Sequence, residues 1–325
     1  MTAMTSLPPA LFHGTLFSMK RILTYTITGL AAPVTIAAFL KQKGFSRRVL
    51  ITLKEAPGQI LKNGLSARAD TRIQNGDQLT LSITEEDSSA SIRPVPLPLS
   101  ILYEDSDLMI LNKEAGMPVH PSVGNHENTM ANGLAWYFLQ KKEPFVFRAV
   151  NRLDRDTSGL LLVAKHKLSA SLLAKQAAEK RIRREYLAIV SGRPEDSGRI
   201  ELPIGRKEGS VIERCIDPEG GDFAATRYCL LKYDRENDCS LISLLLETGR
   251  THQIRVHMKA IGHPLLGDFL YYPDFRLIKR QALHSFRLSF IHPLSGANLS
   301  FEAPLPNDFT VLWNRDIPLY HSPFL

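Results

Sequence analysis

The sequence predicts an α+β fold in two unequal parts: a small, basic N-terminal α/β module and a larger domain rich in strands. Three observations support this. Alternating runs with the period of a strand recur along the 325 residues, and the helical patterns between them are short. A stretch rich in Pro and Ser, Ser88 to Ser100, has no hydrophobic period and divides the chain. The composition, 44% hydrophobic and 22% charged, is that of an ordinary globular protein able to bury a sizeable core.

Residues 1–18 lack periodicity and form an N-terminal extension; the module itself spans 19–87. Within it Val34 to Lys43 reads as a short helix, Gly44-Phe45-Ser46 supplies a stop and a new cap, and Arg47 to Lys54 reads as a second helix. Gly76-Asp77 then turns the chain into the alternating strand Gln78 to Ile83. The Pro/Ser stretch at 88–100 is the linker.

The large domain spans 101–325. Leu102 to Lys113 reads as a hairpin around an acidic turn, Met130 to Leu139 as a helix, and Leu160 to Ala164 as a buried strand. Ser169 to Lys180 is helical with a basic C-terminal end that suits the helix dipole, and Arg184 to Val190 alternates as a strand. On that strand Tyr186 shares a face with Ala188 and Val190, where a packed core tyrosine is the simplest reading. The aliphatic run Leu241 to Leu246 enters a Thr-Gly turn, Thr251 can cap a helix of about ten residues, and Gly262-His263-Pro264 stops it. Arg250 therefore stands at the helix entrance. Leu283 to Pro293 reads as a final strand.

Several function classes drop out. His252, His257 and His263 are five and six residues apart, which does not form the i,i+4 pair of a helical metal site. The three cysteines, Cys215, Cys229 and Cys239, contain no Cys-x-x-Cys pair, so neither a disulfide framework nor a zinc ribbon is suggested and a reducing, cytoplasmic compartment is expected. Lys20-Arg21 before the mostly apolar Ile22 to Leu40 superficially imitates a signal peptide, but threonines and Pro33 interrupt it. No run has the apolar length of a membrane span. The formal charge of +7 and pI near 9.3 favour an acidic polymer as partner without specifying one.

The chemistry concentrates in Asn151-Arg152-Leu153-Asp154-Arg155-Asp156-Thr157-Ser158-Gly159, directly before the buried strand. Two arginines flank a carboxylate on a loop held by a rigid element, and positive charge on both sides favours the ionised form. Asp154 reads as a charged nucleophile or base, against the plainer reading of an ion-paired surface turn.

This stretch resembles the signature His-Arg-Leu-Asp-x-x-Thr-Ser-Gly-Leu-Leu of the RluA-type RNA pseudouridine synthases, with Asn151 in place of the usual His. Arg184-Glu185-Tyr186-Leu187-Ala188 is similar to the family's basic-x-Tyr-x-Ala. Thr248-Gly249-Arg250-Thr251-His252-Gln253-Ile254-Arg255-Val256-His257 matches its third motif unaltered. The resemblance implies a large, mostly antiparallel mixed sheet with the site in a central cleft, and isomerisation of uridine to pseudouridine in structured RNA, rRNA or tRNA. By that likeness Asp154 is the catalytic carboxylate, attacking the uracil ring or the sugar carbon or supporting a glycal-like route, and Tyr186 stacks on the target uracil. Arg250 forms the ion pair that orients Asp154, Arg152 fills the space left by the flipped base, Asn151 orients the loop or a phosphate, and Asn151 and Arg255 join the RNA-binding set. The helix pair with Lys41, Lys43, Arg47, Arg48 and Lys54 resembles the alpha-L RNA-binding module of a ribosomal small-subunit protein. The family pattern also places Gly116-Met117-Pro118-Val119-His120-Pro121 near the cleft. No cofactor, metal, membrane or obligatory protein partner is expected, and the chain is expected to be a monomer. The rival readings are an RNA-binding or ribosome-assembly protein that keeps the fold without turnover, and a two-carboxylate glycoside hydrolase acting on nucleosides, which needs a second acid near Asp154; Asp156 is close in sequence but reads better as a turn residue.

Overall fold

The computed structural model describes residues 18–55, 58–85, 89, 91–122, 124–313 and 324. Apart from Ser18, the expected N-terminal extension lies outside the described residues. The N-terminal part contains β1 (Met19–Thr26), β2 (Val34–Thr35), α1 (Ile36–Gln42), α2 (Arg47–Glu55), β3 (Ile60–Lys62), β4 (Leu65–Ser66), β5 (Arg72–Ile73) and β6 (Gln78–Glu85). The first helix starts two residues later than its apolar pattern suggests. Thr35 caps it by accepting from the Ala38 N–H, and Val34 and Thr35 pair with β5 instead. A four-stranded sheet of order β1-β6-β3-β4 packs on the two helices, because Leu79, Leu81 and Ile83 of β6 alternate inward toward Ile36, Phe39 and Leu40.

The remainder comprises β7 (Ile101–Glu104), β8 (Leu108–Lys113), α3 (Met130–Lys141), β9 (Ser158–Ala164), α4 (Lys167–Ala178), β10 (Arg183–Ser191), β11 (Ser197–Glu201) and β12 (Ile204–Arg206). There follow β13 (Arg214–Ile216), β14 (Ala225–Asp234), β15 (Cys239–Leu246), α5 (Gln253–Ala260), β16 (Leu283–Ile291), β17 (Asn298–Glu302) and α6 (Asn307–Leu312). Nine strands form one sheet of order β11-β14-β15-β10-β16-β9-β8-β7, with β17 on β16. Every pairing in it is antiparallel except β9 with β16. The fold is therefore α+β with a large, mostly antiparallel sheet, as expected.

The continuous apolar run of β9 follows from its central place. Leu161 and Val163 enter the core beneath α3, while Leu160, Leu162 and Ala164 enter the core on the opposite face. The parallel seam is short, joining Ser158 to His284 and Gly159 to Ser285. Gly159 has φ +104°, and a Cβ there would lie 2.2 Å from the Ser285 carbonyl oxygen, so only glycine permits the approach.

The two parts touch. Leu168 and Leu172 of α4 complete the apolar core of the N-terminal part. Arg21 pairs with Asp107 at 2.7 Å, and Arg148 with Glu85 at 2.9 Å. The described portion of the Pro/Ser stretch lies along α3: Asn132 donates to the Arg93 carbonyl and accepts at its own carbonyl from the Val95 N–H.

Candidate active site

Asp154 sits on the loop between Ala149 and β9, and its backbone carbonyl accepts from the Thr157 N–H to close the turn. Three anchors hold that loop. Asn151, only 3% exposed, donates to the Leu160 carbonyl at 3.0 Å and accepts from the Leu162 N–H at 2.8 Å. Arg280 donates to the carbonyls of Asp156, Gln281 and Leu283. Buried Lys113, at the end of β8, donates to the carbonyls of Glu114, Met117 and Arg155, each at 2.8 Å. An ammonium has three donors, and each finds an acceptor here. Burial pushes the Lys113 pKa down to about 7 despite the nearby Asp156 charge.

The Asp154 carboxylate, 27% exposed, faces an open cleft with about 360 Å³ of empty space. Its lining brings together Arg152, Asp154, Thr157, Tyr186, Arg250, His252 and Arg255, with Leu153, Leu246, Ile254 and Leu283 as apolar walls. Tyr186 comes from β10 and is 4% exposed; burial raises the pKa of its phenol, so the ring stays neutral. Sequence separation between these groups exceeds a hundred residues at the extremes, and the sheet is what assembles them.

The ion pair expected between Arg250 and Asp154 is absent. Arg250 lines the cleft, but its guanidinium pairs with exposed Asp222 at 3.2 Å and donates to the Phe223 carbonyl. Arg255 takes the carboxylate instead, donating from Nη1 to Asp154 Oδ2 at 2.9 Å. The cause lies in how α5 begins. Thr251 does not cap it; His252 adopts φ +57° at the N-cap position, and the Gln253 side chain reaches back to accept from the Arg250 N–H at 2.9 Å. The left-handed residue separates Arg250 from the helical phase and aims Arg255 at the loop. Arg255 is 2% exposed and is also clamped by Asp268, through Nε at 2.7 Å and Nη2 at 2.8 Å. It is thus a buried positioning group rather than one free to bind RNA.

The residues flanking Asp154 behave differently from the bracketing pattern. Arg155 pairs with Asp156 at 2.9 Å, and Arg152 is exposed at the cleft with no hydrogen bond to any described residue. Asp156, engaged by Arg155, does not line the cleft, so the second acid of a glycoside hydrolase is missing from its expected place. Asn151 is buried in the loop's scaffold and makes no surface for RNA; its amide suits that place because one end donates and the other accepts. Arg47 and Arg48 are exposed on α2, while the Lys54 side chain lies outside the described residues. His120 is exposed, with its ring against Phe147 at 4.7 Å, and is not among the cleft residues.

Four contributors carry no functional reading in the sequence. Lys113, Asp268 and Arg280 act through the backbone or through Arg255. The fourth, Gln281, donates to Thr157 Oγ1 at 2.8 Å and approaches Asp154 Oδ2 at 3.5 Å. For Lys113, Arg280 and Gln281 the available signal is a charged or amide side chain at or just before a buried strand, since such groups are seldom buried without a partner, while Asp268 closes Gly262-His263-Pro264-Leu265-Leu266-Gly267-Asp268, a segment that resembles the family's.

A family model described as RNA pseudouridylate synthase matches residues 107–260, the segment carrying both the Asp154 loop and Arg255. The uncharacterized RNA pseudouridine synthase YjbO of Bacillus subtilis is 39% identical over 280 residues, spanning 86% of this chain and 98% of that protein. The chain belongs to the RNA pseudouridine synthase family. It is similar as well to the ribosomal large subunit pseudouridine synthase D of Zymomonas mobilis, 42% identical over 234 residues, covering 68% of this chain and 73% of the relative. Among solved structures, human RNA pseudouridylate synthase domain containing 1 aligns with TM-score 0.53 at 30% identity, over 64% of this chain and 84% of that one. The protein is therefore an isomerase that converts uridine to pseudouridine within RNA, and the non-catalytic reading falls away. Among the described residues no helix is long and apolar enough to cross a membrane.

Proposed function

We propose that Asp154 is the catalytic carboxylate of uridine isomerisation in ribosomal RNA, working without cofactor as a cytoplasmic monomer. The observation that carries this is a single carboxylate facing an open cleft, held at 2.9 Å by a buried arginine that is itself clamped from behind. Isomerisation breaks the base-to-ribose C–N bond, turns the uracil and rejoins it through C5, which gives up its proton while N1 gains one, with no net redox change. Covalent catalysis by one carboxylate divides that exchange into two easier steps. Arg255 keeps Asp154 aimed, at some cost to its nucleophilicity.

A uracil in folded RNA must leave its stack to reach the cleft. Exposed Arg152 stands at the cleft with its planar guanidinium unengaged by any described residue, suited to stack on the neighbouring bases. The Tyr186 ring, neutral and embedded in the sheet, offers a fixed face to the flipped base. Arg250 at the rim, with Arg47 and Arg48 on α2, supplies positive charge for the phosphate backbone. Ribosomal RNA is favoured over tRNA by the name of the relative that acts on the large subunit.

The test is chemical mapping of pseudouridine in total RNA from cells with and without the gene, complemented by wild type or Asp154→Asn. Sites in rRNA disappear and return only with wild type, while Asp154→Asn still binds RNA. Loss of binding together with activity would mean that Asp154 is structural, and sites in tRNA alone would move the substrate assignment.

A further inference from the structure

His252 is not used by the reading above, yet it faces the same cleft. Its Nε2 lies 3.9 Å from Asp154 Oδ2, too far for a hydrogen bond, and no described residue accepts one from it. Its Nδ1 is 2.9 Å from the Tyr271 hydroxyl. The direction of that bond follows from what else Tyr271 does: its oxygen already accepts from the Arg214 N–H at 2.8 Å. A phenol has one proton to give, and among the described residues His252 Nδ1 is the acceptor within reach. We read Tyr271 as the donor to Nδ1, the assignment that uses its proton inside the protein, and with it the ring proton of neutral His252 is on Nε2, facing the cleft beside the carboxylate.

We propose that His252 is a substrate-facing hydrogen-bond donor, presenting its Nε2–H to a carbonyl oxygen of the target uracil. The proposal rests on the synthase reading of the cleft and deepens it. A detached uracil carries negative charge delocalised onto its carbonyl oxygens, and a donor fixed beforehand at that place lowers the barrier to cleavage. The positions of the other polar lining groups favour His252 for this task. Arg255 is committed to Asp154 and Asp268, Arg250 to Asp222 and the Phe223 carbonyl, Gln253 to Thr248, Thr226 and the backbone of Ala225 and Arg250, and Thr157 to Gln281, while Arg152 is assigned above to the bases beside the flipped one. The ring is also kept uncharged: burial and the positive charges of Arg255 and Arg214 lower its pKa, against the pull of Asp154 and Asp268. A neutral donor contributes its hydrogen bond without competing with Arg255 for Asp154. His252 holds this place at φ +57°, a left-handed conformation uncommon outside glycine.

The test compares single-turnover pseudouridine formation and RNA binding for wild type, His252→Leu, His252→Gln and Tyr271→Phe, using rRNA from cells lacking the gene. The His252→Leu rate is expected to fall on the order of 100-fold with binding unchanged. His252→Gln, which keeps an N–H at similar reach, is expected to recover most of that loss. Tyr271→Phe, which frees the tautomer, should fall between the two. Wild-type turnover by His252→Leu overturns the proposal while leaving the synthase reading intact. Equal losses in His252→Leu and His252→Gln, accompanied by weaker binding or lower thermal stability, overturn it in favour of a packing role. If wild type itself forms no pseudouridine, the underlying reading has failed instead.

Discussion

Asp268 touches no cleft space, yet replacing it by Asn is expected to damage both stability and turnover. Its two oxygens receive four donors: Nε and Nη2 of Arg255 and the N–H groups of Leu270 and Tyr271. An asparagine can offer one acceptor and must turn an NH2 toward one of those donors, leaving a donor facing a donor. Asp268 is 0% exposed and the Arg255 side chain 2%, so the guanidinium keeps its charge in a dry site with only Asp154 to balance it. Breaking a buried pair from one side costs about 3–5 kcal/mol. That is a large share of the roughly 5–15 kcal/mol by which a native protein is stable. Arg255 also sets where Asp154 points, and a displacement near 1 Å at a reacting group costs about 100-fold in rate. Urea unfolding monitored by circular dichroism gives the first quantity. Single-turnover pseudouridine formation under folding conditions gives the second. An Asp268→Asn protein within about 1 kcal/mol of wild type and fully active would refute the argument that Arg255 needs its second partner.

Lys113→Met should lower stability by leaving three loop carbonyls without their donor. It should also change the pH dependence. With its native pKa lowered to about 7 from 10.5, Lys113 is protonated in both states below pH 7, where its burial penalty is fully present. Between pH 7 and 10.5 the unfolded chain binds a proton that the native one does not, so this group makes wild-type stability rise by up to about 1.4 kcal/mol per pH unit. Unfolding curves for wild type and Lys113→Met that run parallel over that window would contradict the assignment. Gly159→Ala should disrupt the parallel seam, because its Cβ would lie 2.2 Å from the Ser285 carbonyl. A loss of about 3 kcal/mol or more is expected by thermal unfolding, with activity falling further than stability.

How far the sequence carries the reading depends on where each side chain's meaning is stored. Local pattern alone reads Asp154 as a charged group in a turn and Tyr186 as a packed core tyrosine; what singles out both is that each segment resembles a contiguous family motif. Arg250 and Arg255 sit in the same motif, and choosing between them requires the phase of α5. That phase is set by His252 in a left-handed conformation, and the pattern of a Thr-capped helix conceals it. Asn151 shows the converse: its departure from the family pattern invites a functional explanation, while its amide is bonded at both ends to the backbone of β9. Helix and hairpin positions follow from periodicity and turn residues to within a few positions. The neighbour order of the sheet does not, since the pairing of β9 with β16 joins residues more than a hundred positions apart.

That seam has a consequence for how the enzyme comes into being. Among the described residues it is the only strand pairing by which one antiparallel run, β7-β8-β9, is joined to the other, which includes β10, β15 and β16. The first run forms from neighbouring segments, whereas the second already pairs Glu185 of β10 with Arg287 of β16; the seam then closes a still longer loop, Ser158 to His284, for two backbone pairings, and such long-range closure is kinetically slow. Asp154 hangs from one run and Arg255 and Tyr186 belong to the other. A nascent chain can therefore hold much of its secondary structure while having no cleft at all, and competence arrives with the narrowest junction, once β16 has left the ribosome.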